Sequence, residues 1–250
     1  MTTHSDTNPG SAGNDALRPL ALLASGMTGA DVERLIRELR AKCRRQRRPL
    51  TWSVVANALR DDKSMPSFDV LLQIAAHEIG HAFAHELLRV GEVQLVRLGP
   101  TQGVTELAIK PEAVVTAEGA DRYVVCLMAG RAAEKLLFGN VMLGSGGSEQ
   151  SDLAQATHAA LQLETVLGVA EEYPLVYRPP SQAGDMLLYR PDIAKRIQRR
   201  LEKAEARAVD LLKPLVEPIA IMASRLVEAR VVEGDAIRTA LTDHQAGSRK

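Results

Sequence analysis

Apolar residues recur every three to four positions along most of the chain, which is typical of helices with one buried face. In the first such segment they are Val32, Leu35, Ile36 and Leu39. Thr28, followed three residues later by Asp31, matches a capping box and predicts that a helix begins there. Pro49 ends this region, and Thr51 is placed to cap a short second helix.

The rest of the chain continues this helical spacing with one interruption. We predict helices over residues 67–90, 117–138, 149–167, 191–228 and 233–241. Pro214 and Pro218 should kink or split the fourth of these. The interruption, "EVQLVRLGPTQGVTELAIK", alternates apolar and polar residues around a Gly-Pro-x-x-Gly break, which predicts a β-hairpin. The predicted fold class is therefore mostly α, with a small β-hairpin or sheet.

Changes in composition divide the chain into three parts. Residues 1–17 are polar and rich in Gly, Pro, Ser and Asn, which predicts a disordered tail. Residues 18–62 are predicted to form a small helical unit that ends near "DDKSMPS". Residues 63–245 are predicted to form the main domain. Its core must come from Leu, Ala, Val and Ile, because only 3% of the chain is aromatic.

Charge and composition restrict the classes of partner. The 31 basic and 31 acidic residues balance, so no net charge attracts the chain to nucleic acid or acidic membranes. The basic run over residues 40–48 is interpreted as a solvated helix end, where cations oppose the negative end of the helix dipole. Cys43 and Cys126 are too few for a disulfide framework. Without a signal peptide or a run of about 18 apolar residues, we expect a cytoplasmic protein with no membrane span and no nucleic-acid partner.

The stretch "HEIGH", residues 77–81, carries the pattern His-Glu-x-x-His. Residues four apart lie one above the other on a helix, so His77 and His81 can reach the same metal ion. Glu78 points close to that site and can take a proton from a metal-bound water. Zinc suits imidazole ligands, and we expect one Zn²⁺ per chain. Gly80 inside the helix costs about 1 kcal/mol, which a close approach of another backbone or a substrate would explain.

A third protein ligand is expected for a catalytic zinc, and several residues are candidates. His85 lies eight residues from His77, about 12 Å along a helix, so one ion cannot bind both. His85 is therefore interpreted as a structural residue or as one that supports the ligands without binding the ion. A third histidine six residues after His81 is also absent, since residue 87 is Leu. The carboxylates of Glu134, Glu149 and Asp152 remain open on composition alone.

The motifs "HEIGHA", "AGRAAEKLLFG" and "SDLAQAT", read together in this order and spacing, resemble one known family. It is the peptidase domain of the FtsH-type, AAA-linked zinc metalloproteases, and the resemblance covers about residues 65–245. It implies a helical, zincin-like metallopeptidase fold with a small sheet. One strand of that sheet is thought to pair with substrate, and residues 103–107 are placed to do so by β-augmentation.

The resemblance also implies the roles of individual residues. His77, His81 and Asp152 take the positions of the zinc ligands, and Glu78 takes that of the general base. Ser151 stands where the family usually has Asn, a mild departure. Glu134 is then expected to orient an imidazole.

The resemblance extends to the N-terminal unit, while one family feature is missing. "MTGADVERLIRELRAKCRRQRRPLT" resembles the last helical part of an AAA lid. The chain has no Gly-x-x-x-x-Gly-Lys-Ser/Thr motif, so we expect no ATP site in it. It resembles such a protease after loss of the motor and the membrane anchor.

Two functions remain open from the sequence. The first is a zinc metalloendopeptidase, ATP-independent in this chain alone, acting on unfolded or loosely folded polypeptides. The second is a regulatory or binding module that assembles with an FtsH-type protease or a separate AAA ATPase. In either case the resemblance implies a homo-hexamer or a ring shared with such a partner, because the resembling family assembles as hexamers through its peptidase domain.

Overall fold

The computed structural model describes residues 11–24, 27–60, 66–99, 102–143, 146–178 and 190–247. The chain divides into two compact units, Met1–Met65 and Pro66–Lys250. The sequence had placed this boundary between residues 62 and 63. Within the described ranges, no helix combines the length and apolar character needed to cross a membrane.

The first unit contains three helices, α1 (Ser11–Leu23), α2 (Gly29–Arg45) and α3 (Trp52–Arg60). The predicted capping box is present, because the Thr28 hydroxyl accepts a hydrogen bond from the backbone N–H of Asp31 and the Asp31 carboxylate accepts one from the N–H of Thr28. Thr51 Oγ1 likewise accepts from the N–H of Val54 at 3.4 Å. Leu39 and Cys43 of α2 and Val55 of α3 are buried.

Helix α1 corrects the prediction of a disordered tail over residues 1–17. Residues 11–17 belong to this helix, which continues to Leu23. Leu20 and Leu23 are partly covered, and α1 lies against α3. Helical spacing of leucines therefore outweighs the Gly, Ser and Asn content on which the prediction rested. The part of the predicted tail over residues 1–10 lies outside the described residues.

The second unit is mostly helical around a small antiparallel sheet, which confirms the predicted fold class. Its elements are α4 (Phe68–Leu88), β1 (Gly91–Leu98), β2 (Gly103–Ile109), α5 (Ala117–Phe138), α6 (Asp152–Thr165), α7 (Pro191–Leu212), α8 (Val216–Ala229), β3 (Val231–Glu233) and α9 (Gly234–Gly247). A 3₁₀ turn, Lys213–Leu215, separates α7 from α8. Pro214 lies in this turn, so the predicted split of the long C-terminal segment is confirmed.

The sheet has the strand order β2-β1-β3. The predicted hairpin forms β1 and β2, with Leu98 opposite Gly103 and Val96 opposite Thr105. Strand β3 pairs with the other side of β1, where Val96 faces Val232. Among the described strands, β2 is therefore an edge strand whose outer side is unpaired. The sequence did not predict β3, because three residues are too few to show an alternating pattern.

Helices α4 and α5 form the centre of the core and pack against each other at Gly80. A Cβ atom on Gly80 would lie only 2.7 Å from the carbonyl oxygen of Ala129 and 2.7 Å from Cβ of Ala133. The close backbone approach expected from this mid-helix glycine is thus present, and α5 provides it. On α4, Ile79 and Phe83 are fully buried, and each contributes about 1.5–3 kcal/mol through burial of its side chain.

Candidate metal centre and active site

Two imidazoles and one carboxylate converge at the centre of the second unit. His77 and His81 stand one turn apart on α4, with their Nε2 atoms 3.0 Å apart. Oδ2 of Asp152 lies 2.9 Å from Nε2 of His77 and 3.3 Å from Nε2 of His81. Ser151 caps α6 by accepting a hydrogen bond from the N–H of Ala154, and so places Asp152 as the first residue of that helix. The potential ligand atoms of the three residues lie within 4.8 Å of one another.

Both imidazoles form hydrogen bonds through Nδ1 to groups on α5. Nδ1 of His77 lies 2.6 Å from Oε1 of Glu134, and Nδ1 of His81 lies 2.8 Å from the carbonyl oxygen of Cys126. Since each of these acceptors requires an N–H, both rings carry a proton on Nδ1 and direct Nε2 towards Asp152. Metal-binding histidines in proteins are usually oriented in this way.

Glu134 is itself tightly held. Its carboxylate is almost fully buried. Oε2 accepts hydrogen bonds from the side-chain amide of Gln73 at 3.3 Å and from the backbone N–H of Met142 at 2.5 Å. These donors compensate the cost of burying a negative charge. Glu134 therefore contacts the far side of the His77 ring and is not directed at the point where the Nε2 atoms meet.

Gly130 of α5 provides the space in which the imidazoles meet. A Cβ atom at this position would lie 2.5 Å from Nε2 of His81 and 2.6 Å from Nε2 of His77. Any side chain here would therefore displace both rings. Sequence reasoning missed this role, although a glycine inside a predicted helix is a usable signal because of its cost of about 1 kcal/mol. The carbonyl of Cys126 leaves no such signal in the sequence.

The electrostatics of the centre favour a bound cation. Burial disfavours the charged form of His77, but hydrogen bonds to Asp152 and Glu134 outweigh it and raise the pKa of His77 to about 10. Burial likewise opposes ionisation of Asp152, yet its electrostatic interaction with His81 and the hydrogen bond to His77 hold its pKa below the ordinary value. In the absence of metal, His77 thus keeps an extra proton between the carboxylates of Asp152 and Glu134. A bound cation would take the place of this proton.

Glu78 lies beside this centre in a cleft of about 520 Å³. Its carboxylate accepts a hydrogen bond from the Thr105 hydroxyl at 2.7 Å. The first residues of β2 and the start of α6 both line the cleft. The cleft is also lined by largely apolar side chains, those of Leu107, Ile109, Tyr123 and Leu127. Sequence reasoning placed residues 103–107 at the substrate edge but did not single out Thr105, and it did not identify Tyr123, because neither belongs to a recognisable motif.

Two other residues considered from the sequence, Glu149 and His85, are not among the potential ligands, although His85 lines the same cleft. Glu149 is exposed on the loop before α6 and does not join the group of potential ligands. His85 is buried two turns beyond His77, and its Nδ1 has no hydrogen-bond partner among the described residues. Burial and the nearby His81 lower the pKa of His85 to about 4, so this ring is neutral at physiological pH.

The residues present fit a zinc ion. Two imidazole nitrogens and one carboxylate oxygen are a typical donor set for catalytic zinc, which leaves its fourth position for water or substrate. The hydrogen bonds to Glu134 and to the Cys126 carbonyl fix the tautomers that such binding needs. The absence of a side chain at Gly130 keeps the meeting point of the ligands open.

Comparison with known proteins agrees with this arrangement. The ATP-dependent zinc metalloprotease FtsH 1 of Thermoanaerobacter sp. (strain X514) is 29% identical over 262 aligned positions, which cover 94% of this chain and 42% of that protein. FtsH 2 of Sphaerobacter thermophilus is 27% identical, and the alignment covers 92% of this chain and 37% of that protein. The chloroplastic FTSH 6 of Oryza sativa subsp. japonica is 26% identical, and the alignment again covers 92% of this chain and 37% of that protein.

The chain thus spans about two fifths of the length of the curated relatives it matches. The sequence model of peptidase family M41 matches residues 71–240, which include His77, Glu78, His81, Glu134 and Asp152. This match covers well over half of the chain, and the chain therefore belongs to peptidase family M41.

Proposed function

We propose that this protein is a zinc metalloendopeptidase that hydrolyses peptide bonds in unfolded or loosely folded polypeptides. The observation that carries the proposal is the convergence of His77, His81 and Asp152 beside Glu78 in one cleft. Membership of a peptidase family supports it, and the relatives are named as zinc metalloproteases.

The ligands in this proposal are Nε2 of His77, Nε2 of His81 and a carboxylate oxygen of Asp152. Zinc in such a site lowers the pKa of water and polarises the carbonyl to be attacked. Glu134 and the Cys126 carbonyl hold the imidazoles in the tautomers that binding requires.

Glu78 is the proposed general base. Its buried carboxylate faces the cleft, where it accepts the proton of the attacking water and then passes it to the nitrogen of the leaving amine. The carboxylate begins and ends the cycle ionised, because it receives and releases one proton. The Thr105 hydroxyl donates a hydrogen bond to it.

Strand β2 is the proposed binding edge for the substrate backbone. Gly103, Val104, Thr105 and Leu107 of this strand line the cleft, and its outer side is unpaired among the described strands. An extended peptide can pair with such an edge through main-chain hydrogen bonds, which do not depend on side-chain identity. This mode needs an extended substrate and therefore favours unfolded or loosely folded polypeptides.

Cleavage is proposed to be independent of ATP in this chain, since every group assigned to the chemistry lies in the cleft. Association with further copies or with a separate AAA ATPase remains a second proposal. It is supported by the connection after α6, which exposes apolar side chains: Leu167, Tyr173, Leu175, Val176 and Tyr177. Apolar residues exposed so close together often mark a protein contact.

The experiment that tests the proposed function combines casein degradation without ATP with a measurement of bound zinc. We expect the wild-type protein to degrade casein and a chelator to stop the reaction. Asp152→Ala should lose both zinc and activity. Glu149→Ala, a matched change of an exposed acidic residue on the adjacent loop, should keep both. Zinc binding without any proteolysis would instead favour the regulatory module.

A further inference from the structure

Strand β2 touches the side chain of Glu78 at two positions. The Thr105 hydroxyl lies 2.7 Å from Oε2 of Glu78 and 3.1 Å from the backbone carbonyl oxygen of Glu78. A hydroxyl has one hydrogen, so the shorter contact, to the charged oxygen, is the stronger bond. At the second position, a Cβ atom on Gly103 would lie only 2.7 Å from Oε1 of Glu78. The carboxylate is thus held at one oxygen and confined at the other.

The side chain at residue 105 has no evident need for a hydroxyl as part of the sheet. The residue is partly buried in the middle of β2, opposite Val96 of β1. Valine has the same branched shape and an equal or better preference for strands. The hydroxyl contacts only Glu78 among the described residues, both through its side chain and through its backbone. Its contribution is therefore specific to that residue.

We propose that Thr105 is a positioning residue that holds the Glu78 carboxylate in the orientation needed to accept a proton, with Gly103 leaving the space this orientation requires. The inference rests on the proposed function, in which Glu78 is the general base. Strand β2 then has two roles, since the strand proposed to bind the substrate backbone also fixes the base that acts on it. A displacement of the base of about 1 Å is enough to cost up to about 100-fold in rate.

The catalytic test compares Thr105→Val with Thr105→Ser, using a quenched fluorescent peptide as substrate. We expect Thr105→Val to lower kcat by about 10- to 100-fold, while KM and bound zinc stay close to wild type. Thr105→Ser restores the hydroxyl and should recover most of kcat. The matched control is Thr242→Val, because the Thr242 hydroxyl donates only to the backbone oxygen of Arg238 on the exposed side of α9. This control should behave as wild type.

A second measurement needs no catalytic activity. In the metal-free protein, Thr105→Val, Glu78→Ala and the double variant form a double-mutant cycle for thermal unfolding. We expect Thr105→Val to lower Tm by about 2 °C or more when Glu78 is present and by clearly less when residue 78 is alanine. Equal Tm changes in both backgrounds would overturn the proposed contact.

The two measurements separate the positioning proposal from the proposed function. If the wild-type protein cleaves the peptide in a chelator-sensitive reaction but Thr105→Val keeps the wild-type kcat, the positioning proposal fails and the proposed function stands. The positioning proposal also fails, and the proposed function also stands, if kcat of Thr105→Ser is no higher than that of Thr105→Val. If the wild-type protein cleaves nothing, the proposed function fails, and with it the catalytic role of Thr105, whatever the unfolding cycle shows.

Discussion

At the scale of single residues, the candidate site depends on atoms that only the folded chain brings together. The sequence predicted His77, Glu78 and His81, because i and i+4 positions on a helix share a face. It could not select the third carboxylate from residue chemistry alone. Asp152 lies 75 residues from His77 along the chain, and Glu134, the other strong candidate, approaches the opposite nitrogen of the same ring. Only the resemblance to a family favoured Asp152.

Gly130 provides a test of the metal centre that changes no ligand. A methyl group at this position would lie 2.5–2.6 Å from the Nε2 atoms of His81 and His77. We expect Gly130→Ala to lower the zinc retained after dialysis, although alanine normally favours helices by about 1 kcal/mol. Gly29→Ala, where the added methyl meets open space, should retain zinc as the wild type does. Full zinc occupancy in Gly130→Ala would show that the ion binds elsewhere.

The pKa of His77 predicts how zinc binding depends on pH. Because this pKa is raised to about 10, metal-free His77 is protonated throughout the range from pH 6.5 to 8.5. Zinc must displace that proton, so affinity should rise with pH, by about tenfold per unit for one proton released. Calorimetry in buffers of different ionisation enthalpy measures the proton directly. Binding with no proton release across this range would show that metal-free His77 is not protonated there, and would contradict its raised pKa.

At the scale of elements, periodicity predicted most helices but not their mutual placement. The helix predicted over residues 117–138 is present as Ala117–Phe138, and the split near Pro214 also follows from local chemistry. Periodicity carries no information about which helices touch, so it could not show that α5 lies behind both imidazoles. The mid-helix Gly80 was a local signal of the contact between α4 and another element, since it marked a close approach without identifying the partner.

For Gly80→Ala, helix propensity and the packing of α4 against α5 predict opposite changes in the free energy of unfolding. In an isolated helix, Gly→Ala stabilises by about 1 kcal/mol. Here the added methyl would lie 2.7 Å from both the Ala129 carbonyl oxygen and the Ala133 side chain, so α4 and α5 must move apart. We expect Gly80→Ala to lower the free energy of unfolding by about 1–3 kcal/mol, measured by urea denaturation of the metal-free protein. An increase would mean that the two helices are not in close contact.

At the scale of the whole molecule, the chain belongs to peptidase family M41 and spans about two fifths of the curated relatives it matches. Those relatives are named as ATP-dependent, whereas the proposed chemistry uses only residues of the cleft. The central claim is therefore that the second unit can cleave a peptide bond with its own residues. Zinc binding alone cannot establish this, because a regulatory module could retain the same ligands.

Peptide cleavage by Glu78→Gln at matched zinc content tests this claim most directly. Glutamine keeps the size of the side chain but cannot take up a proton, and Glu78 is not among the proposed ligands. If Glu78 is the general base, this variant binds zinc as the wild type does and loses at least about 100-fold in kcat, without ATP in the assay. Wild-type kcat in a fully zinc-loaded Glu78→Gln would show that Glu78 is not the general base.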